Sequence, residues 1–322
     1  MSNNNDENLS GRIKDWLEKQ GQSLEMRVAN SFRENGFAVS QFEYFVDQES
    51  QTVRQTDVIA SIARTIGNSL VTINLIIECK YAKSKPWVIL ITQQKFDRFS
   101  FFGRMLNGKH PSDWKNLPTI QGRLVGKIAL TLDRLNEIEN FEVNPAGYAI
   151  MEARLDSNYK TDPNQLDYAY EAIMQVAKSI QYHDDKNEDV FKNIIRSFED
   201  GLEDETGFRT LGSSSSLGLD LSIAVPLVII NGRLFESHLR DDKIIEVSEV
   251  QNGFLLMPCK QDKSKTSSVP LSSIMVITEN SLSSFIPKLR SMTENILDQE
   301  RAIHELIEFE ESKINPLAKS EF

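Results

Sequence analysis

Three residues have types and spacing that could do chemistry together: Asp57, Glu78 and Lys80. The run "LVTINLIIECK" (70–80) ends with Glu78 and Lys80 two residues apart. Residues i and i+2 share one face of a strand. A carboxylate and an ammonium therefore project side by side from the end of a hydrophobic strand. Carrying two charges toward an interior is costly unless something offsets it. Either the two form an ion pair, or they occupy a site that needs both charges. Asp57 lies in "QTVRQTDVIASIA" (51–63), on the face of Gln55 and Ile59. If these two stretches pair as a hairpin, Asp57 and Glu78 meet at one end of a sheet. Two close carboxylates repel each other, and a divalent cation relieves the repulsion. Hard oxygen ligands select Mg²⁺ or Mn²⁺ over softer metals. Lys80 has no place as a ligand, but it can steady charge on a phosphate, or orient or help deprotonate a water.

A fourth group comes from the helical stretch 11–35, where Leu24, Val28 and Phe32 recur at four-residue spacing. Glu25 follows Leu24 at the border of that stripe, so it points toward whatever the helix covers. Gly36 ends the helix, and "FAVSQFEYFVD" (37–47) alternates as a first strand ahead of the two already named. The order helix, strand, strand, strand places the helix over a three-strand meander. "SKPWVILITQQKFDRFSFFGRML" (84–106) reads as a helix from about Ile89, and 119–139 as another. "GYAIMEA" (147–153) reads as a strand. Asp162 and Pro163 open a helix over 162–183 whose apolar stripe is Leu166, Ala169, Tyr170, Ile173, Val176, Ala177 and Ile180. That stripe is core or a dimer face. After the linker-like "GSSSSLG" (212–218), the texture changes to strands, followed by a closing helix over 281–314. Residues 1–9 read as a disordered tail.

Composition bounds the function class. Hydrophobic residues make up 40% of the 322 and aromatics 8%, which suits a chain with a real core. The two cysteines, Cys79 and Cys259, rule out a disulfide framework and a cysteine-rich zinc site, and the four histidines show no ligand spacing. There is no apolar run of membrane-spanning length and no signal-peptide core, so the expectation is a cytoplasmic protein without a membrane partner. The net charge of −11 argues against non-specific coating of nucleic acid. Yet residues 80–134 hold eleven Lys or Arg against three acids, making that segment +8 and the remainder −19. Trp87, Phe96, Phe99, Phe101, Phe102 and Trp114 are interleaved with the bases. A basic, aromatic-laced stretch on an acidic body is either a polyanion track, or a set of bases paired with acids from elsewhere over core aromatics.

Glu25 on a first helix, Asp57 on the second strand and Glu78-x-Lys80 on the third resemble the PD-(D/E)xK nuclease superfamily, with its restriction-endonuclease-like fold. "GQSLEMRVANSFRENGFAV", "RQTDVIAS" and "LIIECKYAKSKPW" carry the resemblance over residues 20–105. Thr56 stands where the proline of the motif's name would be. The resemblance implies an α/β fold, a restriction-endonuclease-like core with a mixed central β-sheet flanked by helices and with C-terminal elaborations. It implies one elaborated domain over 10–322, with a motif core at 20–105, a basic helical segment at 84–139, a helical insertion at 162–210 and C-terminal strands and helix at 219–314. Asp57, Glu78 and the Cys79 carbonyl would be metal ligands, Glu25 would bind or orient the metal or its waters, and Lys80 would activate water and steady the phosphate. The cofactor would be Mg²⁺ or Mn²⁺. The substrate would be nucleic acid, DNA before RNA, touched by Lys83, Lys85, Gln93, Gln94, Lys95 and Arg98. A homodimer or a defence-system partner protein fits such an enzyme. The competing expectations are a non-catalytic nucleic-acid-binding or sensor subunit that keeps the fold, and an effector idle until a partner assembles it.

Overall fold

The computed structural model describes residues 3–47, 50–66, 69–91, 147–153, 167–180, 182–183, 221–240, 244–258, 271–298 and 304. The chain is α/β, with helices on both faces of a mixed sheet. Among the described residues the helices are α1 (Asn3–Gln20), α2 (Gln22–Glu34), α3 (168–180) and α4 (Leu282–Leu297). The strands are β1 (Ala38–Val46), β2 (Val53–Ile66), β3 (Ser69–Ile91), β4 (Gly147–Glu152), β5 (Leu221–Arg240), β6 (Ile244–Val250), β7 (Asn252–Pro258) and β8 (Leu271–Thr278).

The eight strands form one sheet in the order β1-β2-β3-β4-β7-β8-β5-β6. β3 also pairs with β5, so β3, β4, β7, β8 and β5 form a closed circuit of pairing. β1–β2, β2–β3, β3–β4, β5–β6 and β7–β8 are antiparallel. β3–β5, β4–β7 and β5–β8 are parallel. β4 and β7 touch at Gly147 opposite Leu255. A Cβ on Gly147 would run into the Ile89 side chain of β3, so glycine is what lets β4 lie that close to β3 there.

β3 is the spine because it is apolar on both faces, as a central strand must be. Val71, Ile73, Leu75, Ile77 and Cys79 face a core built with Leu24, Val28, Ala29 and Phe32 of α2 and Phe285, Ile286 and Leu289 of α4. Ile76, Ala82, Trp87 and Ile89 face a second core with Ala169, Ala172, Ile173 and Val176 of α3. Burying each large aliphatic side chain contributes about 1.5–3 kcal/mol, so the two layers lock β3 from both sides.

Several sequence expectations change. The helix expected over 11–35 is broken at Gly21, whose φ of +92° sits outside the helical range and separates α1 from α2. Gly36, at φ +79°, does end α2. Residues 3–9, expected in a disordered tail, belong to α1, because extending a helix already nucleated costs less than starting one. Of the helix expected from Ile89, residues 89–91 are instead the end of β3. Trp87–Ile91 pair with β4 on one edge and with β5 on the other, and two ladders outweigh local helical spacing. The rest of the basic helical segment, 92–139, lies outside the described residues, as does Cys259. The helix expected from Asp162 begins at 168. Asp167 Oδ1 caps it, accepting from the amides of Ala169 (3.0 Å) and Tyr170 (3.3 Å). Of its stripe, Ala169, Ile173, Val176, Ala177 and Ile180 are core and Tyr170 is exposed, while Leu166 lies outside the described residues. The strands expected after 220 join the same sheet, and β5 runs unbroken over 20 residues. No helix among the described residues is long and apolar enough to cross a membrane.

Candidate active site

The β2–β3 ladder runs from Ile66↔Ser69 to Val58↔Ile77 and stops. On the same edge of β3, β4 begins only at Trp87. Asp57, Glu78 and Lys80 sit at the mouth of the gap this leaves. On the other side of β2 the ladder to β1 runs Gln41↔Val58 and then Glu43↔Thr56, with Phe42 and Asp57 left between. Phe42 takes φ +62°, an uncommon conformation for a bulky residue. The interruption lets two consecutive residues of β2 turn inward. Thr56 is buried with its hydroxyl 2.7 Å from Ser179 of α3, and Asp57 is buried with Oδ2 accepting from the Cys79 amide at 2.8 Å.

Glu78 is 3% exposed, and Lys80 Nζ lies 2.9 Å from its Oε1. Glu25 reaches the same place from the first turn of α2, and its Oε2 is buried with no hydrogen-bond partner. Three carboxyl groups thus share one ammonium. Burial pushes Glu78 up to about 8, the Asp57 charge adds to that, and Lys80 pulls it back only in part. Burial and the Asp57 charge likewise push Glu25 up to about 7, against Lys80. Asp57 is raised by burial despite the Cys79 amide and Lys80. Burial works against the charge on Lys80, but Glu78 and Asp57 outweigh it and Lys80 is raised, with a smaller contribution from Glu171. The Cys79 thiol faces the α2 side of the sheet, where burial among the acids pushes its pKa well up and leaves it an inert apolar side chain.

The site residues expected from sequence therefore divide. Glu25, Asp57, Glu78, Lys80 and the Cys79 backbone are brought together. Lys85 is part of β3, but its ammonium faces Glu152 at 3.5 Å and lies over the Tyr168 ring, 5.8 Å from its centroid. Lys83 lies on β3, and Gln93, Gln94, Lys95 and Arg98 lie outside the described residues. Among the described residues, the helix that reaches the site on this face is α3. Gln175 of α3 donates to the Gln55 carbonyl at 3.2 Å, and Lys178 bonds to Asp47 at 2.6 Å. Glu171 acts on Lys80 from the same helix. Glu171, Gln175 and Lys178 recur at four and three residues, the spacing of one helical face. That was the available signal, and it was masked by the stronger apolar stripe.

Among the described residues, no three His, Cys, Asp or Glu side chains are placed to enclose a metal ion by themselves. The donor set still suits a hard cation. Two buried carboxylates sit on adjacent strands where their ladder ends, beside the Cys79 main chain, and a third carboxyl holds a buried oxygen without a donor. Compared with protein-family models, curated proteins and solved structures, the chain gives no match.

Proposed function

We propose that this chain is a Mg²⁺- or Mn²⁺-dependent endonuclease of the PD-(D/E)xK kind, hydrolysing phosphodiester bonds of nucleic acid, DNA before RNA. One observation carries the reading. Glu25, Asp57, Glu78 and Lys80, drawn from three elements, converge where β2 and β3 part, with more carboxyl than ammonium groups. Three carboxyls face one ammonium, an excess of negative charge that a bound cation would offset.

Asp57, Glu78 and the Cys79 carbonyl would hold the cation. Such an ion, when bound, supplies charge neutralisation at the phosphate and a lower pKa for the attacking water. Lys80 offers its ammonium to the phosphate oxygens, where negative charge grows as the water oxygen bonds to phosphorus and the P–O bond to the leaving nucleoside breaks. Glu25, raised toward neutrality, accepts a proton from that water or orients it through Oε2. Bacterial restriction or anti-phage defence, in a homodimer or beside a partner protein, is the setting that suits such an enzyme.

The second reading is a nucleic-acid-binding or sensor subunit that keeps the fold without the chemistry. The close Lys80–Glu78 pair favours it, since an ammonium held at 2.9 Å neutralises one of the two ligand carboxylates. Plasmid, single-stranded DNA and structured RNA incubated with the protein in Mg²⁺, Mn²⁺ or EDTA separate the two. Cutting that needs metal and is lost in both Asp57→Ala and Lys80→Ala supports the nuclease. Binding without cutting, unchanged in Lys80→Ala, supports the binder and sinks the nuclease.

A further inference from the structure

Gln22 opens α2 one turn before Glu25, on the same helical face. Its Oε1 is buried and accepts no hydrogen bond, as is true of Glu25 Oε2. Each oxygen has left water without a replacement donor, which folding disfavours. Other polar side chains near this turn are paired. Ser23 donates to Glu18 at 2.7 Å, and Arg27 bonds to Glu18 at 3.1 Å and to Glu279 at 2.5 Å. Glu25 stands within reach of the site, where Asp57 and Lys80 act on its carboxyl, and Gln22 is one helical turn away from it. Gly21, the residue before Gln22, packs so that a Cβ there would stand 4.0 Å from Cβ of Tyr81, the neighbour of Lys80. The turn carrying Gln22 and Glu25 is thus set against the strand that carries Glu78 and Lys80.

We infer that Gln22 is a further residue of this site. Its Oε1 and Glu25 Oε2 together accept O–H donors from the water shell of the divalent cation that Asp57 and Glu78 would hold. The inference rests on the hydrolytic reading above. A carboxamide is the group suited to this place. It offers an acceptor oxygen without adding a fourth negative charge to three carboxyls that already repel one another. Gln22 acts through water and is a positioning residue, not a ligand.

Mn²⁺ titration of the full chain, followed by water-proton relaxation, tests this beside Gln22→Met, Gln22→Glu and Asp57→Ala, with the metal-free melting temperature of each. In Gln22→Met, Mn²⁺ binding should weaken about 10-fold, the scale of losing an outer-sphere partner. The metal-free melting temperature should hold or rise, because an acceptor without a donor has been removed. Gln22→Glu keeps the acceptor; its fourth charge costs stability in the metal-free protein, but the bound Mn²⁺ offsets that charge, so binding should return at least to the wild-type level. Equal affinity in wild type and Gln22→Met, with Asp57→Ala weakened, overturns the role of Gln22 and leaves the hydrolytic reading standing. Loss of melting temperature in Gln22→Met, with Gln22→Glu equally weak for Mn²⁺, marks a merely structural residue and also overturns it. Absence of Mn²⁺ uptake by the wild type overturns both.

Discussion

Two clusters of buried charge flank the start of β2, and they are balanced differently. At one, Asp47 is 4% exposed and is met by Arg54 at 2.8 Å, Lys178 at 2.6 Å and the Ser50 hydroxyl at 2.8 Å. Two cations and a hydroxyl surround one carboxylate, and α3 is tied to the β1–β2 connection. At the other, Asp57, Glu78 and Glu25 share Lys80, and the carboxyls respond by holding their protons more tightly. Both acids are buried, so burial alone does not tell them apart. The ratio of opposite charge does. Asp47 is compensated for the fold's sake, and the Asp57 group is left short of positive charge.

The largest effect should separate the clusters by activity. Lys80→Ala should lower metal-dependent cleavage by about 10²–10³-fold, the scale of losing one preorganised charge-stabilising donor. Asp47→Ala should leave cleavage per folded molecule near wild type, measured as initial rates on plasmid. Loss of cleavage in Asp47→Ala at unchanged stability would erase the distinction.

Stability should separate them the other way. Asp47→Ala leaves Arg54 and Lys178 facing each other without their carboxylate. A loss of about 2–3 kcal/mol in urea unfolding is expected, below the 3–5 kcal/mol typical of a fully buried pair because both cations reach solvent. Glu78→Gln should do the opposite in metal-free protein, and with a pH signature. The folded-state pKa of Glu78 lies near 8, above its ordinary 4.5, so the folded form binds more protons than the unfolded form between those values. Stability from this group is present at low pH and lost as pH rises toward 8. The melting temperature of Glu78→Gln relative to wild type should therefore climb from pH 5 to pH 8, read by calorimetry in EDTA. A difference that does not vary with pH would make Glu78 an ordinary ion-pair partner, like Asp47.

The smallest effect belongs to the residue between the clusters. Thr56→Val removes the hydroxyl that meets Ser179 and leaves that serine without its buried partner. About 1 kcal/mol of stability should be lost. Cleavage should stay near wild type, because the bond joins β2 to α3 and Asp57 keeps its amide from Cys79.

Some of this was legible from residue order. The Leu24–Val28–Phe32 stripe, the alternation in β1 and the apolar density of β3 are local patterns, and the folded chain keeps them. Glu78 and Lys80 two apart on a strand, Asp57 on the neighbouring strand and Glu25 beside a buried stripe could be drawn toward one place from the same arithmetic. Where reading failed, two signals competed. "WVILI" has spacing that fits a helix, but its apolar, β-branched content suits a strand buried on two faces, and only the presence of β4 and β5 chooses between them. Gly21 looked tolerable inside a helix until α2 had to be laid against β3.

By itself the sequence determined which side chains could act together and the local elements that bear them, because helical and strand periods are properties of neighbouring residues. The tertiary structure alone decided that β3 continues to Ile91, that α3 reaches the site, and that β2 parts from β3 one residue before Asp57 and Glu78. It also decided which buried acid receives two cations and which three must share one. Those outcomes depend on which distant segments arrive alongside, and on the charge and burial they bring, which no local pattern encodes.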